Sequence, residues 1–216
     1  PGGFVVAASS GRTYHQTAQS LASAGFEMRD MLIWRYTQSF PGCVSVDGEW
    51  RSHLRTNQDP WVVARKPVEK GLTLKQNWEK WGTGAVRTGY SGSRWQTNVI
   101  DCKKANKAEK TLGLIGHLQP RQVAGSDSSG TFTVSVSQNV HNCVKPVGLM
   151  RKICRLFCAD GGLVYDPFMG SGSTGVAAVA DGYDFIGTEL DFDHFQTASL
   201  RVFHAQQHAA QIAEAA

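Results

Sequence analysis

Apolar positions along this 216-residue chain fall into short continuous runs and helical repeats. Phe4 to Ala8 is an apolar run bounded by glycines and serines, the pattern of a strand buried on both faces. Thr13 can cap a helix with apolar positions at Ala18, Leu21 and Ala22 and Gly25 as its stop. Phe26 to Tyr36 and Trp61 to Ala64 read as strands, and Pro41, Gly42, Asp47 and Gly48 mark a long connection between them. From about Pro67 to Gln138 periodicity fades into glycines, serines, tryptophans and lysines, with a loop-like GSDSSG at 125–130. Pro146 then opens a helix at its first turn, on which Leu149, Met150, Ile153, Leu156 and Phe157 repeat until Gly161 and Gly162. Leu163, Val164 and Tyr165 form a strand ending at Asp166. A glycine turn, a helix from Gly175 to Asp181, a strand from Phe185 to Glu189 and a terminal helix follow. Alternation of this kind implies an open, largely parallel α/β sheet. Because both flanks carry it, the middle segment reads as an insertion rather than a linker.

Charge sharpens that division. The net charge is +4, but Arg65 to Lys110 holds eleven Lys/Arg against four Asp/Glu, so the rest of the chain is net acidic. A basic segment in an otherwise acidic protein suggests a polyanionic partner held at one place. A composition of 41% hydrophobic and 19% charged residues is ordinary for a soluble globular domain. No apolar run approaches the roughly 18 residues a membrane span needs, so no membrane partner is expected. Five cysteines without CxxC spacing argue for free thiols in a reducing, cytoplasmic setting. Cys154 and Cys158, four apart in a helical pattern, read as core thiols rather than metal ligands. Pro1-Gly2-Gly3 leads straight into an apolar strand, neither an initiator nor a targeting segment, and the chain reads as if it begins in mid-domain.

The richest stretch is Tyr165-Asp166-Pro167-Phe168-Met169-Gly170-Ser171-Gly172-Ser173-Thr174-Gly175: a strand end, a glycine turn and a helix start. Glycines admit a ligand close to the backbone, and helix amides favour an anionic group there. Glu189, at the end of the next strand, can accept hydrogen bonds from both hydroxyls of a ribose. Gly170, Gly172 and Gly175 also satisfy GxGxxG, which alone would suit a nicotinamide or flavin enzyme. Only about forty residues follow the turn, too few for the usual second half of that fold.

DPFMGSGSTG resembles the cofactor motif of amino-directed DNA methyltransferases of the permuted β arrangement, and FIGTEL at 185–190 looks like their second, ribose-gripping motif. His141-Asn142-Cys143-Val144-Lys145-Pro146-Val147, with Leu149-Met150, is similar to their HPTxKPxxLM motif. PGGFVVAASSGRTYH, GFEMRDMLIWRYTQSFP and ARKP at 64–67 resemble the elements that follow the catalytic motif in that order. The resemblance implies an α/β, Rossmann-like methyltransferase sheet with helices on both faces, built from residues 1–67 and 139–216. Residues 68–138 would be an inserted, irregular target-recognition region for double-stranded DNA, with Trp78, Trp81, Tyr90 and Trp95 interleaved for stacking. It implies S-adenosyl-L-methionine as cofactor, held by Asp166, Phe168, Gly170, Ser171, Gly172, Thr174 and Glu189, with Asn142 and Lys145 from the third motif. In that motif the family's threonine helps hold the cofactor carboxylate; Cys143 stands in its place here, and Asn142 is the candidate substitute.

The family also needs a (D/N/S)PP(Y/F/W) motif, whose polar residue and carbonyl accept hydrogen bonds from the target amine while its ring stacks on the flipped base. None occurs here. Gln58-Asp59-Pro60-Trp61 lacks the second proline, and Cys43 follows glycine in a loop, unlike the nucleophile of cytosine C5 chemistry. No catalytic residue is therefore assigned, the sheet is expected to be incomplete, and a missing amino-terminal segment is a candidate partner. The resemblance puts the catalytic strand between the Tyr165 and Phe4 strands. Its absence predicts either a gap there or direct pairing of Leu163–Asp166 with Phe4–Ala8.

Overall fold

The computed structural model describes residues 1–38, 43–89, 95–114, 116, 118, 121–126, 132–139, 141 and 143–215. In chain order the elements are β1 (Phe4–Ala8), α1 (Tyr14–Ser23), β2 (Glu27–Arg35), β3 (Ser45–Asp47), β4 (Trp50–Arg51) and β5 (Gln58–Arg65). They continue with α2 (Leu74–Trp81), β6 (Val99–Asp101), α3 (Lys107–Thr111), β7 (Arg121–Ser126) and β8 (Phe132–Ser137). The last are α4 (Val147–Phe157), β9 (Leu163–Asp166), α5 (Ser173–Ala180), β10 (Asp184–Gly187) and α6 (Phe192–Ala215).

The main sheet has the order β1-β5-β2-β6, with β5 antiparallel to both neighbours and β6 parallel to β2. The expected largely parallel sheet is thus a mixed one. Among the described residues the chain between β2 and β5 carries a β3–β4 hairpin and no helical crossover of the kind a parallel return requires, and β5 comes back antiparallel and inserts beside β1. Leu32, Trp34, Tyr36, Trp61 and Val63 lie on one face and pack against Leu149, Met150, Ile153 and Leu156 of α4. The alternate residues Val62 and Ala64 are buried too, on the face where α1 contacts β5. The sheet therefore carries helices on both faces.

Parallel β9–β10 forms a separate two-stranded sheet, tied to α4 through a second apolar cluster of Cys154, Ala178 and Tyr183 with Val164 and Phe185. Among the described residues β1 pairs only with β5 and β9 only with β10, so of the two expected outcomes the gap is the one that occurs. It also corrects the reading of β1 as buried on both faces: Phe4 to Ala7 are half-buried and Ala8 is exposed, because a cavity borders them.

Local signals were carried out with small shifts. Thr13 occupies the N-cap of α1 without a side-chain cap, since its hydroxyl bonds Ser10 instead. Pro146 is the N-cap of α4 rather than its first residue. The segment 68–138 is less irregular than its sequence pattern. Thr73 and Gln76 form a capping box on α2, Gly82 closes it in the left-handed conformation, and β6 joins the main sheet. These elements span eight residues or fewer, too short to show periodicity. Within GSDSSG, Gly125 and Ser126 belong to β7, and 127–130 lie outside the described residues.

Candidate functional site

At the end of β9 the Asp166 carboxylate organises the turn that follows. It accepts from the Phe168 amide (3.1 Å) and from the Thr174 hydroxyl (2.5 Å), fastening the strand end to the start of α5. Gly170 and Gly172 have φ of 52° and 78°, which glycine adopts without strain. Glycine is also required by packing. A Cβ on Gly172 would stand 2.9 Å from Ala198 of α6, and one on Gly175 would stand 2.5 Å from the Phe185 ring. On Gly170 it would meet the His141 imidazole at 2.7 Å.

Glu189 lies two residues beyond β10 and folds back onto the turn. Its Oε2 accepts from the Gly170 amide (2.8 Å), and its Oε1 from the amides of Leu190 and Asp191 (3.0 Å each). Hydrogen bonding from the Asp191 amide first, then from Gly170 and Leu190, holds its pKa below the ordinary glutamate value despite desolvation.

A cavity of about 930 Å³ opens between the turn, β9 and β1. Asp166, Phe168, Gly170, Ser171, Thr174 and Lys145 line it, six of the nine residues singled out from sequence. Phe168 is 87% exposed at its mouth, an apolar ring with nothing covering it. Gly172 is turned away against α6, and Glu189 is not itself part of the wall but is bonded to the Gly170 amide, which is. Asn142 lies outside the described residues. Lys145 reaches over the Trp34 ring, its ammonium 5.9 Å from the ring centre. His141 also lines the cavity, edge-on to His194 at 4.7 Å. Desolvation first, and the neighbouring His194 next, lower its pKa.

One residue of this site carries no signal in the sequence. Arg201, 2% exposed on α6, reaches under the turn and donates to the Ser171 carbonyl at 2.5 Å. It is the only Lys or Arg after Arg155, but nothing in the helical pattern says that its side chain turns inward.

The basic segment borders the same cavity. Trp81 lines it and donates its indole N–H to Glu69 (2.6 Å). The Lys104 ammonium sits 4.2 Å from the Tyr36 ring centre, and Trp34 and Tyr36 are ring neighbours at 4.9 Å. Desolvation, with Lys145 and Lys110 adding repulsion, lowers the Lys104 pKa. Trp78, Trp81 and Trp95 are exposed rather than gathered into a local core, and Tyr90 lies outside the described residues. All five cysteines are free, and no cluster of metal-ligating residues occurs among the described residues. No helix among them is long and apolar enough to cross a membrane.

The N6/N4 methyltransferase family model, described as DNA methylase, matches residues 1–199. The type II methyltransferase M.HindIII of Haemophilus influenzae is 26% identical over 204 residues, covering 87% of this chain and 59% of that protein. The DNA adenine methyltransferase YhdJ of Escherichia coli is 34% identical over 71 residues, 33% of this chain and 24% of that protein. The chain thus spans only part of the length of these relatives. Among solved structures, the M1.HpyAVI–SAM complex superposes with a TM-score of 0.60 at 23% identity, covering 94% of this chain and 75% of that one. The cytosine-N4-specific PvuII DNA methyltransferase gives 0.63 at 11% identity, with 98% and 71% covered. These likenesses establish a common fold.

Proposed function

The chain belongs to the N6/N4 DNA methylase family, and from that premise we propose that it forms the S-adenosylmethionine-binding part of a DNA methyltransferase acting on an exocyclic amine of adenine or cytosine. The observation that carries the reading is Glu189 closing on the Gly170 amide at 2.8 Å, beside a cavity of about 930 Å³ walled by the same turn. A cavity of this size suits a nucleoside-sized cofactor. The residues present fit it. Glu189 receives three amide hydrogens and has about four acceptor positions, leaving capacity for a ribose hydroxyl. Phe168 offers an uncovered face for the adenine, Lys145 a cation for the amino-acid carboxylate, and Asp166 and Thr174 fix the turn between them. Ser171, Gly172 and Asn142 complete the proposed set.

The cofactor supplies an electrophilic methyl group. What the protein must supply is acceptors for the protons of the target amine, so that its lone pair leaves conjugation with the ring and faces the methyl in line. The 216 residues contain no Pro-Pro pair and hence no motif of that kind. The chain by itself is therefore read as binding cofactor and DNA without transferring methyl groups. Two situations share that behaviour: the cofactor-binding portion of an active enzyme, and an inactive remnant of one. Residues 68–138 are proposed as the DNA-recognition region, supported by Lys104, which feels the charges of Lys145 and Lys110, and by the exposed Trp78 and Trp95.

Calorimetric titration tests the cofactor reading. S-adenosylhomocysteine is expected to bind the chain and NAD to give no response. Binding of NAD with none of S-adenosylhomocysteine would overturn it.

A further inference from the structure

On α6 the residues Thr197, Ala198 and Arg201 share one buried face, with Ala198 seated against Gly172. This register delivers Arg201 to the underside of the glycine turn. Its Nη1 donates to the Ser171 carbonyl (2.5 Å), the Ser171 hydroxyl oxygen (3.2 Å) and the Ser173 hydroxyl oxygen (3.5 Å), and its Nη2 donates to the Glu109 carbonyl (3.3 Å). Nε is buried without a partner. Every acceptor is neutral, and Arg201 is in no ion pair among the described residues. The Glu109 carboxylate is near enough to act on it, but its Oε1 takes the Val147 amide at 2.6 Å.

Electrostatically this is a poor place for a cation. It is desolvated, and it sits at the amino end of α5, where the helix dipole is also positive. An anion arriving at the turn would relieve both costs. The hydrogen bonds say how it would be received. With guanidinium hydrogens occupying lone pairs of Ser171 Oγ and Ser173 Oγ, both hydroxyls are biased to act as donors. Ser171 and Ser173 both line the cavity.

We propose that Arg201 is a positioning residue for the amino-acid carboxylate of the cofactor, acting through the hydroxyls of Ser171 and Ser173 and the unneutralised charge behind them. The proposal rests on the cofactor reading above and assigns one end of that ligand to one part of the turn. It also supplies donors where Cys143 replaces the hydroxyl that the resemblance led one to expect.

The test compares S-adenosylhomocysteine with 5′-methylthioadenosine, which keeps the adenosine and sulfur but lacks the amino-acid group. In Arg201→Met, S-adenosylhomocysteine affinity is expected to fall about tenfold or more, as for loss of a charge-assisted contact. The affinity for 5′-methylthioadenosine should change less than about twofold, because the lost contacts serve only the carboxylate. Arg201→Lys should recover part of the difference. If Arg201→Met does not fold, Ser171→Ala/Ser173→Ala carries the same comparison with the same expected selective loss. Equal losses for both ligands would reduce Arg201 to a prop for the turn and overturn the proposal, as would unchanged affinity for S-adenosylhomocysteine. A folded wild-type chain that binds neither ligand would instead overturn the cofactor reading, and this inference with it.

Discussion

The carboxylate of Glu189 accepts the Gly170 amide at 2.8 Å, joining the second residue after β10 to the glycine turn after β9 across nineteen positions of sequence. The bond fixes the turn and holds the carboxylate against it. Adjacent parallel strands β9 and β10 end side by side, so the loops leaving them meet at the carboxyl edge of the sheet, where ligands of α/β folds bind.

Glu189→Ala is accordingly expected to weaken S-adenosylhomocysteine by about 1.5–3 kcal/mol, the loss of one charge-assisted hydrogen bond. Titration calorimetry measures it directly. An unchanged dissociation constant would remove Glu189 from the site.

Asp181 caps α5 and is 6% exposed in its side chain, where it receives Arg151 Nε (2.8 Å) and Arg155 Nε (2.7 Å) from α4. Burial alone would raise its pKa, but hydrogen bonds from the two arginines outweigh it and the net shift is downward. A depressed folded-state pKa means the contribution is complete above the ordinary aspartate value near ~4 and is lost as pH falls through the lower folded value. Asp181→Asn should cost about 2–4 kcal/mol at neutral pH, less than a fully buried pair because both arginines are partly solvated. Denaturant unfolding at several pH values checks it: the gap between wild type and variant should narrow below about pH 4. A gap independent of pH would contradict the ion-pair account.

Why some of this was legible and some not follows from where each signal resides. β1 and β9 are continuous apolar runs with glycine punctuation, and the Asp166–Gly175 turn is written almost entirely in residue identity, so both could be placed to within a residue or two. Helix α2 had a readable signature in Thr73, Gln76 and Gly82, but its eight residues expose Leu74, Trp78 and Trp81, and no apolar stripe drew attention to it. The hairpin β3–β4 leaves Val46 and Trp50 in solvent, so alternation there marks no buried face. Antiparallel β5 and the role of Arg201 depend on tertiary placement, which neither period nor motif encodes.

Lys103, Lys104, Lys107 and Lys110 follow β6 in sequence, and Lys104 is near enough to Lys110 and to the cavity-lining Lys145 to feel their repulsion. If this stretch meets the DNA backbone, binding to duplex should fall with salt by about −0.9 in the log–log slope for each phosphate contact. Replacing Lys103 and Lys107 with glutamine should flatten that slope by up to about 2 and weaken binding to unrelated duplexes alike. Measured by fluorescence anisotropy from low to physiological salt, a slope unaffected by both changes would move the DNA surface elsewhere.

The gap between β1 and β9 bears on the proposed methyl transfer. Each strand pairs on one side only among the described residues, and Val6, Ala7, Val164 and Tyr165 of the two strands line the cavity between them. Unpaired strand edges of this kind accept another extended segment, since their amides and carbonyls otherwise rely on water. A segment there would present its residues beside the glycine turn, at the place where a target amine must be met by acceptors. The 216 residues offer no Pro-Pro motif to fill that role, and Asp59, the nearest resemblance, is engaged at the start of β5 by the Tyr36 hydroxyl at 3.1 Å. The purified chain is therefore expected to bind S-adenosylhomocysteine yet to leave duplex DNA unlabelled when supplied with methyl-labelled S-adenosylmethionine. Robust incorporation of label by this polypeptide alone would mean that other residues of the chain provide the acceptors, and the account of the gap would fall.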